Sequence, residues 1–461
     1  MKLPQDFIDK YTHLLGDEAP DFFESLDQDS VIGFRLNPLK NDYRNIKYSL
    51  NKTIDYTNDG FIGKVSGRSL EHQTGYVYSQ DLSAMYVAIV ADAKPGEKVL
   101  DLCAAPGGKS TQLAESMQNQ GVLVSNEINY KRAKILAENM ERIGAKNVVV
   151  TNESPDRLVS VFKHYFDKIV VDAPCSGEGM FRKDHAATKY WHKEYPNECA
   201  KLQKEILVQA MQMLKSGGEL IYSTCTFAPE ENEEIVSWLL ENYDLTLEPI
   251  KRYDGMEPGR PAWGNGDPTI SHTVRLMSHK FQGEGQFLAK FKDNTTENKF
   301  KVKKKKAKKS KGISPSEFEL WNEFIKPFKS ELSNLNINDL KLNGDYLYYY
   351  PQELPDIEKL KYMRPGLALG IFKKNRFEPS YALALSLNEV SDERVIKVTK
   401  EQWKQYVAGD VIPSNESKKN GWYLLETEGK YFAFGKLVNG TIKNFMPKGL
   451  RFTAIDESEY Q

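Results

Sequence analysis

Lys98-Val99-Leu100-Asp101-Leu102-Cys103-Ala104-Ala105-Pro106-Gly107-Gly108-Lys109 is the stretch from which the rest of the chain is read. Lys98 to Leu102 is a short apolar run of strand length. The turn that follows is glycine-rich, and glycine lets a backbone approach a ligand closely. Ser110 to Met117 then reads as a helix, whose first N–H groups have no partner within it. Strand, glycine turn and helix start, in that order, build a cradle for a nucleotide-like cofactor. The spacing is neither GxGxxG nor a Walker loop, which argues against NAD and ATP.

Working outward, Leu82, Met85 and Ile89 mark a helix that stops near Lys94-Pro95-Gly96. Downstream, Gly121 to Ser125, Asn147 to Thr151, Lys168 to Asp172 and Glu219 to Ser223 read as further strands. Helices over Tyr130 to Ile143 and Ala200 to Leu214 lie between them. Short β-branched runs alternating with amphipathic helices predict a doubly wound α/β sheet, with ligands at the carboxyl ends of its strands. The segments around Thr273 to Met277 and Gln286 to Lys290 flank Gly283-Glu284-Gly285 and read as two closing antiparallel strands. Residues 1–75 read as a small α+β module, 76–292 as the α/β domain, 293–314 as a linker, and 315–461 as a helix followed by an aromatic, β-rich module.

The 461-residue length suits two or three domains, and 40% hydrophobic with 28% charged residues is ordinary for a globular protein. A net charge of -1 conceals nine lysines and no acid between Lys299 and Lys311. A block of that kind serves as a solvated tether or a phosphate-binding arm. The four cysteines form no CxxC pair and the seven histidines have no metal spacing, so no metal is expected. Few cysteines, no leader-like start and no membrane-length apolar run lead to the expectation of a cytoplasmic protein, with no membrane partner and a monomeric state.

Two of the cysteines end strand-like runs: Cys175 in Asp172-Ala173-Pro174-Cys175-Ser176-Gly177, and Cys225 in Ser223-Thr224-Cys225-Thr226. A lone buried cysteine is most often packing. Two, each at the mouth of the same sheet, point to thiol chemistry on a base that needs a nucleophile before it reacts. Glu127, after Val124-Ser125-Asn126, can accept hydrogen bonds from both ribose hydroxyls of an adenosine. Cys199 has no supporting partner and reads as structural.

These motifs, followed by Pro229-Glu230-Glu231-Asn232-Glu233, resemble the RNA cytosine-C5 methyltransferases of the Sun/RsmF family over residues 30 to 292. Phe34 to Lys40 and Gly75 to Gln80 are similar to that family's lead-in. Asn444 to Arg451 is similar, more loosely, to its RNA-binding PUA-like module. The resemblance implies a Rossmann-like class I methyltransferase sheet using S-adenosyl-L-methionine, held by Cys103, Ala104, Ala105, Pro106, Gly107, Gly108, Lys109, Glu127 and Asp172. It implies Cys225 as the nucleophile at cytosine C6, Cys175 as the group that assists product release, and Asp172 as the contact to base N3. Many relatives carry an acid after strand three for the adenine amine. Spacing from Glu127 and Asp172 puts Ser154 there, with Asn152 as an alternative. The implied partner is RNA, small-subunit ribosomal RNA first and transfer RNA second. A non-catalytic RNA-binding assembly factor is the different-class alternative, against which the intact turn and both cysteines argue. Arg35, Arg182, Lys183 and the lysines of 299–311 are the RNA-contact candidates.

Overall fold

The computed structural model describes residues 2–296 and 312–454, so the 299–311 lysine block lies outside the described residues. Five parallel strands carry the fold: Lys98–Asp101, Val122–Asn126, Val148–Thr151, Phe166–Asp172 and Leu214–Thr224. Their spatial order is third, second, first, fourth, fifth. Leu100 lies opposite Val124 on one side and Ile169 on the other. The order reverses between the first and fourth strands, the point at which doubly wound sheets bind ligands beyond their carboxyl ends.

The apolar runs form strands because both of their faces are covered. Val99, Leu123, Val150, Val170 and Ile221 point to the layer of helices Leu82–Ala91, Gly108–Ser116 and Tyr130–Arg142. Their neighbours Leu100, Val124, Val149, Ile169 and Leu220 point to the opposite layer, Pro155–Phe162, Tyr195–Met213 and Glu233–Asn242. Pro155–Phe162 and Glu233–Asn242 add to the helices expected from the sequence; each is short and begins beside proline or a run of acids that masks its apolar face. The closing strands are found, Gln286–Asp293 pairing antiparallel with Leu214–Thr224 and with Val274–Leu276.

The N-terminal sheet joins Thr53–Ile54, Thr57–Ile62, Gly33–Leu36 and Val77–Ser79, so it runs past residue 75. It is fastened to the α/β domain by the Phe34–Lys40 run. Asn37 donates through Nδ2 to Gly75 O and Ile143 O, both at 2.8 Å, and accepts from Leu39 N at 3.0 Å. Arg35 is not an RNA contact: it is 2% exposed. It pairs with Glu115 and donates to Gln80 Oε1, Gly108 O and Thr111 Oγ1, bracing the helix that follows the glycine turn. A buried guanidinium requires such acceptors.

Beyond residue 312, helix Pro315–Ile325 starts in a capping box at Ser314. In place of a single helix-plus-barrel module there are two small sheets, of four and five strands. Between the first sheet's Tyr346–Tyr349 and Leu367–Lys373, strand Tyr362–Arg364 leaves to pair antiparallel with Val148–Thr151 of the large sheet. Arg364 is buried there and donates to Ala145 O.

Replacing Asn37 by Ala strips buried carbonyls on both sides of the junction of their donor. The expected cost is about 1–3 kcal/mol of stability, read as a lowered midpoint in denaturant unfolding. An unchanged midpoint would show that the junction does not depend on this side chain.

Candidate active site

At the first strand end, Ala104 N donates to Asn126 O, and Arg132 and Asn139 hold the carbonyls of Ala105 and Pro106. Gly107 sits at φ +118°, where a Cβ would also crowd Leu136 Cδ1 at 3.1 Å. Glycine is required at that corner. Asp101 lies beneath the turn, fully buried, accepting from Ser110 Oγ at 2.6 Å through Oδ2, while its Oδ1 has no partner. Burial pushes its carboxyl up to about 7. The Cys103 thiol is also pushed up, by burial first and then by the charges of Asp101, Asp172 and Glu127. Asp101, Asp172 and Glu127 thus surround the turn, with Lys109 at 2.7 Å from Asp172 and Arg132 at 3.5 Å from Glu127.

Glu127 ends the second strand, 4% exposed, with Oε1 accepting from Asn129 N at 2.8 Å. At the third strand end, Asn152 donates to Glu127 O and Ile128 O. Ser154 caps helix Pro155–Phe162 without a side-chain bond to it, so its hydroxyl is not committed to the helix. Its neighbour Glu153 is buried and accepts from Lys361 N of the C-terminal region at 2.8 Å.

On the fourth and fifth strands, Asp172 is opposite Ser223. Its Oδ2 pairs with Lys109 Nζ at 2.7 Å, and Oδ1 accepts from Ser223 Oγ at 2.7 Å and Gln286 Nε2 at 3.2 Å. Lys109 thus turns from the glycine turn to the fourth strand. Burial disfavours its charge, but the Asp172 carboxylate outweighs that and raises its pKa. Cys175 Sγ and Cys225 Sγ are 3.3 Å apart. The contact with Cys225, followed by burial, pushes the Cys175 thiol well up, toward its protonated form.

Two buried carboxylates join the cysteine loops. Glu231 accepts from Ser176 N at 3.0 Å, from Ser176 Oγ, and from Gln203 Nε2 at 2.7 Å. Burial lifts its carboxyl to about 8. Glu178 accepts from Trp191 Nε1 at 2.9 Å, Thr226 Oγ1 at 3.0 Å and the hydroxyl of Tyr11, on the N-terminal helix Gln5–Leu15. Gly179 N donates to Cys225 O at 3.0 Å. Among the described residues, no group of three His, Cys, Asp or Glu side chains is placed to hold a metal.

Residues 88–292 match the family of 16S rRNA methyltransferase RsmB/F. Residues 3–82 match the N-terminal domain of 16S rRNA methyltransferase RsmF, 323–387 the RsmF rRNA methyltransferase first C-terminal domain, and 393–452 the methyltransferase RsmF PUA domain. Ribosomal RNA small subunit methyltransferase F of Aliivibrio salmonicida is 33% identical, over 83% of this chain and 80% of the relative. The protein of the same name from Shewanella loihica is 29% identical over 98% and 96%. The chain belongs to the RsmB/F family. A solved methyltransferase homolog protein from Pyrococcus horikoshii superposes with a TM-score of 0.54 at 32% identity, covering 62% of this chain and 93% of that one.

The structure brings the 103–109 turn, Glu127, Asp172, Cys175 and Cys225 together at the carboxyl ends of the parallel strands. It sets Arg182 apart: that side chain is buried, paired with Glu284 at 3.2 Å and donating to Gly283 O at 2.6 Å. Arg182 holds the closing turn and is not free for a phosphate, whereas Lys183 is exposed. Sequence reasoning misses Glu178, Glu231, Ser223 and Gln286 as site residues. Glu231 and Glu178 do lie inside or beside the cysteine motifs, and acids next to a cysteine or a Thr-Cys-Thr run are the available signal.

Glu231 carries its proton to about 8 in the fold against an ordinary 4.5. Between those values the native state binds more protons than the unfolded chain, so this group makes stability fall as pH rises. Glu231→Gln is expected to flatten the decline between pH 5 and pH 8 in denaturant titrations, at the cost of weaker packing of the Cys175 loop. A decline as steep as in the unaltered protein would count against Glu231 as its source.

Proposed function

We propose that this chain methylates C5 of cytosine in 16S ribosomal RNA with S-adenosyl-L-methionine, in the cytoplasm. The observation that carries the reading is the pair of thiols 3.3 Å apart beside the Asp172–Lys109 ion pair, at adjacent strand ends. The relatives' names supply the ribosomal RNA, and the PUA match supplies an RNA-binding module.

The residues present fit S-adenosyl-L-methionine. Glu127 and Ser154 offer groups for ribose and adenine, and the Asp172 carboxylate at the fourth strand's end suits a sulfonium. The turn 103–109, Glu127, Ser154 and Asp172 would hold it, and when bound it supplies an electrophilic S-methyl group. Everything else falls to the chain. Cytosine C5 is a poor nucleophile until a thiolate adds to C6. Cys225 Sγ forms that bond. The Asp172–Lys109 pair meets the base at N3, where negative charge develops, with Lys109 carrying the proton. Once C5 is methylated its proton must leave and the Sγ–C6 bond must break. Cys175, 3.3 Å from Cys225, hands its proton to the Cys225 sulfur as the Sγ–C6 bond breaks, and the Cys175 thiolate so formed takes the C5 proton. The target base reaches this site by flipping out of its stack. The terminal regions 1–75 and 315–461 hold the RNA around the 76–292 catalytic unit.

With 16S RNA and methyl-labelled cofactor, Cys225→Ala is expected to lose methyl transfer and the covalent protein–RNA adduct. Cys175→Ala is expected to accumulate the adduct, resolved as a shifted band on a denaturing gel. An adduct that survives in Cys225→Ala and vanishes in Cys175→Ala would reverse the two roles. Wild-type protein that methylates no RNA would sink the reading altogether.

A further inference from the structure

Three buried arginines carry their own carboxylates: Arg35 has Glu115, Arg182 has Glu284, and Arg275 has Glu233, whereas buried Arg364 donates to Ala145 O. One cavity gathers three further arginines. A hollow of about 290 Å³ is lined by Arg68, Arg142 and Arg451, with Tyr381, Glu138 and Glu141. The three guanidiniums come from three parts of the chain. Arg68 precedes helix Leu70–Gln73, Arg142 lies in the last turn of helix Tyr130–Arg142, and Arg451 follows the turn Lys448–Leu450. None of them makes an ion pair among the described residues.

Their hydrogen bonding is also incomplete. Arg142 donates to Asn139 Oδ1, yet its Nε is shielded from solvent and has no partner. Arg451 makes one long bond, Nε to Met446 O at 3.3 Å, and Arg68 and Arg451 are exposed. The acids do not neutralise the cavity. Burial raises the Glu141 carboxyl toward its neutral form, although Arg364 pulls it back. Three fixed cations against two acids leave the hollow positive, and forked N–H donors suit a phosphate.

We propose that this hollow is a phosphodiester-binding site that grips the RNA backbone remote from the base being modified. The proposal rests on the RNA reading above. Helix Tyr130–Arg142 begins beside Glu127 and ends at the hollow, and its 13 residues at about 1.5 Å each set the two sites roughly 20 Å apart. A volume at the small end of ligand pockets, about 300 Å³, fits a phosphate and its sugar better than a base pair. Contacts of this kind hold register and carry no sequence information.

The test is binding of deproteinised small-subunit ribosomal RNA across a salt series. It uses full-length Arg68→Ala/Arg451→Ala, both exposed positions, and Arg142→Gln, with melting curves to check folding. The double variant is expected to bind on the order of tenfold more weakly at low salt, and its log K against log salt slope is expected to be shallower by about 1, as for one phosphate released. A folded double variant with wild-type affinity and slope overturns the proposal. So does a result in which inorganic phosphate raises the wild-type melting temperature, and not the variant's, while the RNA slope is unchanged; that marks a small-anion site. Methyl transfer by the wild-type protein, measured alongside, tests the parent reading on its own: transfer that persists while the variant's binding is unaltered removes the phosphate site alone.

Discussion

Glu178 and Glu231 fix the distance between the two thiols, and the chemistry of the site depends on that distance. Each carboxylate is buried and bound by donors from more than one loop. Ser176 Oγ and Thr226 Oγ1 lie 2.8 Å apart between them, which ties the residue after Cys175 to the residue after Cys225. A buried acid without partners is costly, so the loops close around these side chains or remain open. The N-terminal helix takes part through Tyr11, whose ring packs with Phe7, Phe22 and Phe227. The aromatic cluster and the polar network are one assembly, apolar outside and hydrogen-bonded within.

Much of this is legible in the sequence. The five parallel strands can be read because Val, Ile and Leu fill both faces. The glycine turn can be read because Gly107 occupies a backbone region that a side chain would strain. The cysteines, Asp172 and Glu127 stand at strand ends, where chain order alone places ligand contacts. Other features depend on partners distant in sequence. Arg35 and Arg182 resemble surface cations until Glu115 and Glu284 are seen beside them, 80 and 102 residues away. The lysine of the cofactor turn cannot be assigned to Asp172 from spacing, because only the packed sheet brings the first and fourth strands together.

The C-terminal region shows the same limit at larger scale. Its aromatic runs correctly suggest strands, and Leu347 is fully buried while Tyr346 is half exposed, an alternation typical of a small sheet. Nothing local marks Tyr362-Met363-Arg364 as belonging to another sheet. That allegiance arises because Arg364 reaches the backbone at Ala145, and because Glu153 receives Lys361 N two residues from the third strand's end.

That borrowed strand has a consequence for how the chain can be dissected. The third parallel strand would otherwise be a sheet edge with unpaired N–H and C=O groups, a ready template for another chain. Tyr362–Arg364 occupies that edge. A fragment cut at the lysine block would keep every residue proposed for the methyl-transfer site and still expose a sticky apolar strand. Self-association, rather than loss of the active centre, is then the hazard of shortening this protein.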